Sequence, residues 1–296
     1  MILWRCVNPS RWAFVGSLGV LAVSAGCAPS LATMQPAHVA PKGHFEATAA
    51  IEIGLPTGTI KRVIDTGDSL SHDAINQGNV TPDQERQIFD AGVNFVVSPV
   101  SAGTHFAINY TALDRWEVGV RYASAAWRLG SRYQFLRHED GPFDMTLGLG
   151  VSRQAVEIPL ASYVEQILEI DDFTRYTVDA ALQFGTSRAF YRVWAGPKFV
   201  YSRFDTAMRL AVPPGVSQPD LASFEGHGFY YGGQAGAAVG WKHVFFAFEM
   251  TVAELSGGAT VTAVSGPRSG GADPIAHNSD ISGLVLYPAL GLIGEF

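Results

Sequence analysis

The strongest constraint in this chain is a two-residue alternation that recurs in ten stretches between His44 and Phe296. Successive side chains of a strand point to opposite faces, so residues of one parity share a face. Residues 44–55 set Phe45, Ala47, Ala49, Ile51 and Ile53 against Glu46, Thr48 and Glu52. Four further stretches, 104–111, 116–123, 126–136 and 143–153, repeat the division, with apolar faces such as Trp116, Val118, Val120 and Tyr122. Residues 175–186, 189–203, 228–241, 243–254 and 281–296 continue it. None of the residues that make up these apolar faces is charged, from Phe143 through Val151 or from Tyr191 through Tyr201 for example. A charge on a lipid-facing strand costs ~2–4 kcal/mol near the bilayer midplane, so lipid exposure would enforce this pattern.

Composition agrees. Only 16% of the 296 residues are charged, against about 25% in soluble domains. Inside the chain there is no run of ~20 apolar residues, hence no spanning helix, whereas the stretches match the ~9–11 residues of a tilted spanning strand. The net charge of -7 argues against nucleic acid as a partner. Hydrocarbon offers no hydrogen-bond partner, so a spanning sheet must leave no edge. The expected fold is therefore all-β, a closed antiparallel transmembrane β-barrel of about ten strands. Eight or twelve are the bounds, because 93–102 and 257–265 also read as strand.

Connections at 112–115, 138–142, 187–188 and 242 are short, whereas 56–103, 154–174, 204–227 and 255–280 are long. Only the link at 123–126 breaks the asymmetry. Phe45, Tyr110, Trp116, Phe135, Phe143, Phe184, Tyr191, Trp241 and Phe296 fall at the short-turn end of the apolar face. Tyr122, Trp127, Tyr176, Tyr201 and Tyr231 fall at the other. Two such aromatic bands suit two membrane interfaces.

The last stretch has Leu284, Leu286, Leu290, Leu292 and Phe296 on one face and stops on the aromatic. It resembles the C-terminal insertion signal of bacterial outer-membrane β-barrels. The resemblance implies a bacterial outer membrane, with both termini and the short turns in the periplasm. It implies outer-membrane lipid and the barrel-insertion machinery as partners. A soluble periplasmic β-protein is the structural alternative. Pro288 donates no ladder hydrogen bond, so a gap or bulge is expected beside it.

Ahead of the barrel, Arg5 and Arg11 precede the uncharged run Trp12 to Ala25, which reads as a signal peptide over 1–26. Val23-Ser24-Ala25-Gly26-Cys27 resembles a bacterial lipobox, which implies acylation of Cys27. Cleavage near Ala25 to Ala28 without lipid is the alternative. Residues 27–42 read as a flexible tether and 43–296 as the barrel.

The inward face carries Glu46, Glu52, Glu117, Asp144, Asp179 and Glu249 with Arg121, Arg128, Arg132, Arg192 and Lys198. Buried charges must be paired, so a lumen-filling charge network is expected. A pore whose Arg121, Arg128 and Arg132 form an anion-favouring constriction is the alternative. His277-Asn278-Ser279 resembles the His/Ser pair of barrel lipid hydrolases, in a Gly-rich loop. No zinc spacing or nucleotide loop occurs, so no cofactor is expected. Glu157, Glu165, Glu169, Asp171 and Asp172 make one long loop acidic, which suits a solvated surface or Ca²⁺. Thr81 and Pro82 start an expected short helix within 56–103, a connection long enough to fold over the mouth or into the lumen. Three functions are open on these grounds: a non-enzymatic barrel displaying loops for a structural or binding role, a narrow solute channel, and a lipid hydrolase.

Overall fold

Ten strands close on themselves in a computed structural model that describes residues 28–61, 90, 93–94, 97–139, 141–156, 168–170, 173–210, 221–264 and 275–296. The signal peptide, Cys27, the expected helix from Thr81 and residues 157–167 lie outside the described residues. In chain order the strands are β1 (Phe45–Pro56), β2 (Ser101–Leu113), β3 (Trp116–Ala123), β4 (Ala126–Leu136), β5 (Asp144–Val156), the three-residue β6 (Leu168–Ile170), β7 (Phe173–Ser187), β8 (Tyr191–Leu210), β9 (Leu221–Trp241), β10 (Val244–Val264) and β11 (Ile275–Glu295). Each barrel strand pairs antiparallel with the next, and β1 pairs with β11. The short β6 only extends the edge of β8.

Closure runs to the last residue. The Phe45 N–H donates to the Phe296 carbonyl at 2.8 Å, and the Phe296 N–H donates to the Phe45 carbonyl at 2.9 Å. Pro288 is accommodated as its missing N–H requires. The β10–β11 register runs unbroken through Met250 opposite Pro288. The β1–β11 ladder skips Ile53 and Gly54, between the pairs Glu52–Ala289 and Leu55–Leu286. Pro197 is treated alike, where the β7–β8 ladder skips from Ala181–Lys198 to Phe184–Ala195.

The outer face is the apolar one. Ile108, Leu129, Leu149, Val178, Phe246 and Leu292 are all exposed. Rings mark both borders of this belt, with Phe45 and Tyr110 in contact at 4.7 Å at the short-turn end. Tyr122 and Trp127 meet at 5.0 Å at the long-loop end. Past the second border the outward parity turns polar: Arg153, Arg203 and Glu225 face out beyond the belt. A Leu147→Arg substitution falls halfway along the outward run from Phe143 to Val151. It is expected to lose about 2–4 kcal/mol of stability in lipid vesicles, and Val151→Arg, nearer the interface, about 0–1. Equal losses in a urea titration would remove the lipid belt.

The wall is uneven. β8 has 20 residues and β9, β10 and β11 have 21 each, whereas β3 has 8 and β4 has 11. At ~3.3 Å per residue, these are runs of about 70 Å and about 26 Å. Of the stretch 257–265, residues 257–264 therefore lengthen β10 and add no strand to the ring. The stretch 93–102 does not form the extra strand it could have been: positions 93, 94 and 97 are helical, and β2 starts at Ser101. This long connection turns into the mouth, burying Val93 and Val97 against a cluster with Phe173, Phe204, Phe224, Leu255 and Ile281. Arg175, itself buried, donates to the Val97 carbonyl at 2.7 Å. Nearby, Thr57 Oγ1 donates to the Leu284 carbonyl, covering part of the β11 edge that rises beyond the end of β1.

Candidate functional site

The lumen is filled by residues expected to lie outside it. Leu31, Ala32, Met34, Ala37, Val39 and Ala40 are each at most 4% exposed. Residues 28–40 are thus a plug running along the barrel interior, where a flexible tether was expected. Their composition permits it. From Ala28 to Pro41 there is no Asp, Glu, Lys or Arg. Pro29 and Pro36 favour extended backbone and remove two N–H groups that would otherwise need partners in the lumen. Gly43, at φ +87°, turns the segment into β1.

The wall holds this plug chiefly by its backbone. Glu249, fully buried on β10, accepts the N–H of Thr33 at 2.6 Å and of Met34 at 2.9 Å. Met34 has φ +52°, a left-handed conformation that aims two successive N–H groups at one anion. Trp194 Nε1 donates to the same carboxylate at 2.9 Å. Carbonyls of the plug are taken in turn: Leu31 by Lys198, Ala32 by Arg121, Gln35 by Gln183, Pro36 by Arg132 and Ala37 by Thr146. The Val39 N–H donates to Gln134 Oε1 at 3.0 Å. Every one of these wall groups lies on an inward-facing position.

The charged residues expected to face inward all do so, and many pair. Arg128 and Asp179 form a two-pronged bridge at 2.7 and 2.6 Å. Arg132 grips Glu117 at 2.9 Å on both prongs and lies 3.6 Å from Glu46. Arg192 reaches Glu295 at 2.6 Å and Glu46 at 4.0 Å. Glu52 receives the hydroxyls of Ser30 at 2.8 Å and Ser124 at 2.9 Å, with His105 Nδ1 3.4 Å away. Asp144 accepts from Gln134 Nε2 and from the His138 N–H, both at 2.9 Å. Two expectations need correction. Arg121, Arg128 and Arg132 do not ring an open constriction, since each is committed to Ala32, Asp179 or Glu117. Nor is the network only charge with charge: Glu249, Lys198 and Arg121 are matched to backbone dipoles of the plug.

Two Ser/His arrangements bear on hydrolysis. His277 and Ser279 lie on β11, opposite Val261 and Ala259, and not in a loop. Ser279 is 2% exposed, and its hydroxyl has no hydrogen-bond partner among the described residues. At the short-turn end, Ser187 Oγ lies 2.7 Å from His38 Nδ1, and His38 Nε2 lies 3.1 Å from Glu295 Oε2. They border a cavity of about 490 Å³ that also includes Lys42, Arg137 and Arg188. Order alone suggests nucleophile, base and acid. Yet Arg192 shares the same Glu295 oxygen, and the Arg188 N–H, beside Ser187, is spent on the Tyr191 carbonyl at 2.8 Å. The chain of contacts works as a clamp that ties the lower end of the plug to β7 and β11. Among the described residues no group of three His, Cys, Asp or Glu is placed to hold a metal.

No family model matches the chain, and no curated protein matches it. Among solved structures it is similar to the outer membrane protein OprG from Pseudomonas aeruginosa (TM-score 0.38, 10% identity, 88% of this chain and 99% of that one). It is also similar to a major outer membrane protein from Thermus thermophilus (TM-score 0.36, 9% identity, 86% and 99%). A third similarity is to Ail, the attachment invasion locus protein of Yersinia pestis (TM-score 0.29, 9% identity, 86% and 99%).

Proposed function

We propose that this chain is a non-enzymatic barrel of the bacterial outer membrane that is closed by its own N-terminal segment and displays its tall side at the cell surface for a structural or binding role. The observation that carries this reading is the filled lumen: residues 31–40 occupy it, held by Glu249, Lys198, Arg121 and Arg132 of the wall. Short turns face the periplasm and long connections the outside, as the unequal connection lengths favour. Phe296 and its strand are what the insertion machinery reads. Outer-membrane lipid wets the apolar belt.

The tall wall offers the contact surface. Beyond the belt, Tyr201, Arg203, Glu225, His227, Thr260 and Thr262 line an open groove of about 530 Å³. Arg203 and Glu225 are exposed there and only 3.9 Å apart. Polar, mixed-sign and outside the lipid, this face suits contact with a soluble or glycan-bearing partner better than transport through the lumen.

Planar-bilayer recording of the purified intact chain tests closure. No discrete conductance steps are expected. Regular single-channel steps from the intact protein would replace this reading with the narrow solute channel. Lipid hydrolysis has its own test: Ser279→Ala and Ser187→Ala are expected to leave the lipid profile of the cell envelope unchanged, and loss of a deacylated lipid in either variant would establish the hydrolase.

A further inference from the structure

We infer that the chain leaves the lumen at the long-loop end, over the low β3–β4 hairpin, so that its N-terminal end lies on the opposite side of the membrane from Phe296. The order of contacts sets the direction. His38 is bound to Glu295, one residue from the C-terminus and at the short-turn end. Going backwards along the sequence, Pro36 meets Arg132 and Thr33 meets Glu249. Ser30 meets Glu52, seven residues up β1 from Phe45. The same Glu52 receives Ser124, which sits in the β3–β4 turn. By Ser30 the segment has therefore climbed the whole spanning height of the wall.

The wall chooses the exit. On the side of β7 to β11, the mouth is filled by Val93 and Val97 with their aromatic partners. On the side of β3 and β4 the strands stop at the membrane border. Their turn is two residues long, with Ser124 at φ +48° and Ala125 at φ +55°. It is flanked by Ala123 and Ala126, so four small residues make a low, unbulky rim. Pro29 and Ser30 lie directly inside that rim, beside Ala123 and Ala126, with a residual space of only about 20 Å³. On the outer side of the rim stand Tyr122 and Trp127, the interfacial aromatic pair. The exit is thus level with the headgroups of the leaflet on the long-loop side.

This rests on the proposed orientation only for which side is outermost. With long loops outward, the N-terminal end is presented at the cell surface, against the outer-leaflet lipid surface. An acyl group on that end, as the Val23 to Cys27 pattern implies, then enters the outer leaflet and not the periplasmic one. The expectation of two periplasmic termini is replaced by termini on opposite sides.

The test compares three placements of one hydrophilic epitope in the full chain: between Cys27 and Ala28, within 265–274, and between Ser187 and Arg188. Antibody is applied to intact and then to permeabilised cells. The N-terminal epitope is expected to label together with the 265–274 epitope and apart from the 187–188 epitope. Labelling together with 187–188 overturns the inference. If the 265–274 epitope labels only after permeabilisation, the orientation has failed, while the pairing of epitopes still decides the exit. A second measurement guards against an epitope that unthreads the segment. Ser30→Cys with Ser124→Cys, in a Cys6→Ser, Cys27→Ser background, is expected to be joined within one chain by a short bifunctional maleimide in the folded protein, since both hydroxyls meet the Glu52 carboxylate. A folded protein that forms no cross-link overturns the inference.

Discussion

Deleting residues 28–40 from the full chain converts the closed barrel into a conducting one. The deletion removes every backbone group to which Glu249, Lys198 and Arg121 are matched, and water takes their place. A path opens along the route the segment occupied, from the Ser187–Arg192 end to the low rim at Ser124. Discrete steps in planar bilayers are the expected result, where the intact chain gives none. The wall itself survives, since its ladders are made without the plug, so heat-modifiable mobility on gels should persist. A folded deletion variant without steps would mean that the mouth residues around Val93 and Val97 seal the barrel on their own.

Glu249→Ala is the single substitution with the largest expected effect on stability. It strands three buried donors, the N–H groups of Thr33 and Met34 and the indole of Trp194. Hydrogen bonds to a charged acceptor contribute about 1.5–3 kcal/mol each, and losing one partner of a buried ionic site costs about 3–5 kcal/mol. The expected loss is about 3–5 kcal/mol, because water entering the vacated space offsets part of the sum. Glu249→Gln keeps one acceptor oxygen and should fall between. Thr251→Val, which removes one 3.3 Å contact to the Leu31 carbonyl, should cost about 1 kcal/mol. Urea midpoints in vesicles rank the three. A Glu249→Ala loss below that of Thr251→Val would show that the carboxylate does not hold the plug.

These two predictions rest on contacts of a different kind from those that shape the wall. Thr33 and Glu249 are 216 residues apart. The match is between an uncharged segment's peptide groups and a few polar side chains. No local pattern announces it. The nearest signal is the absence of charge from Ala28 to Pro41, together with three prolines, which a linker and a plug share. The inward rings Phe173, Phe204 and Phe224 were hidden for a related reason. They lie where the strands rise beyond the lipid, so the outward parity there is polar and the alternation that reveals a spanning strand is reversed. Arg153, Arg203 and Glu254 end the apolar parity of their strands at that border.

The wall was legible residue by residue: the parity of each spanning strand, the closure of the last strand on the first, and the interruption beside Pro288. The physical reason is that lipid exposure acts residue by residue. It forbids charge at every second position, and hydrocarbon leaves no unpaired edge, so a period of two is enough to set the face of each strand and to require closure. What occupies the space the wall encloses was settled by contacts far apart in the chain. That choice depends on which distant backbone brings its N–H and C=O groups to Glu249, Lys198, Arg121 and Glu52. It also depends on how high each side of the wall stands, and neither quantity is written in the neighbourhood of any one residue.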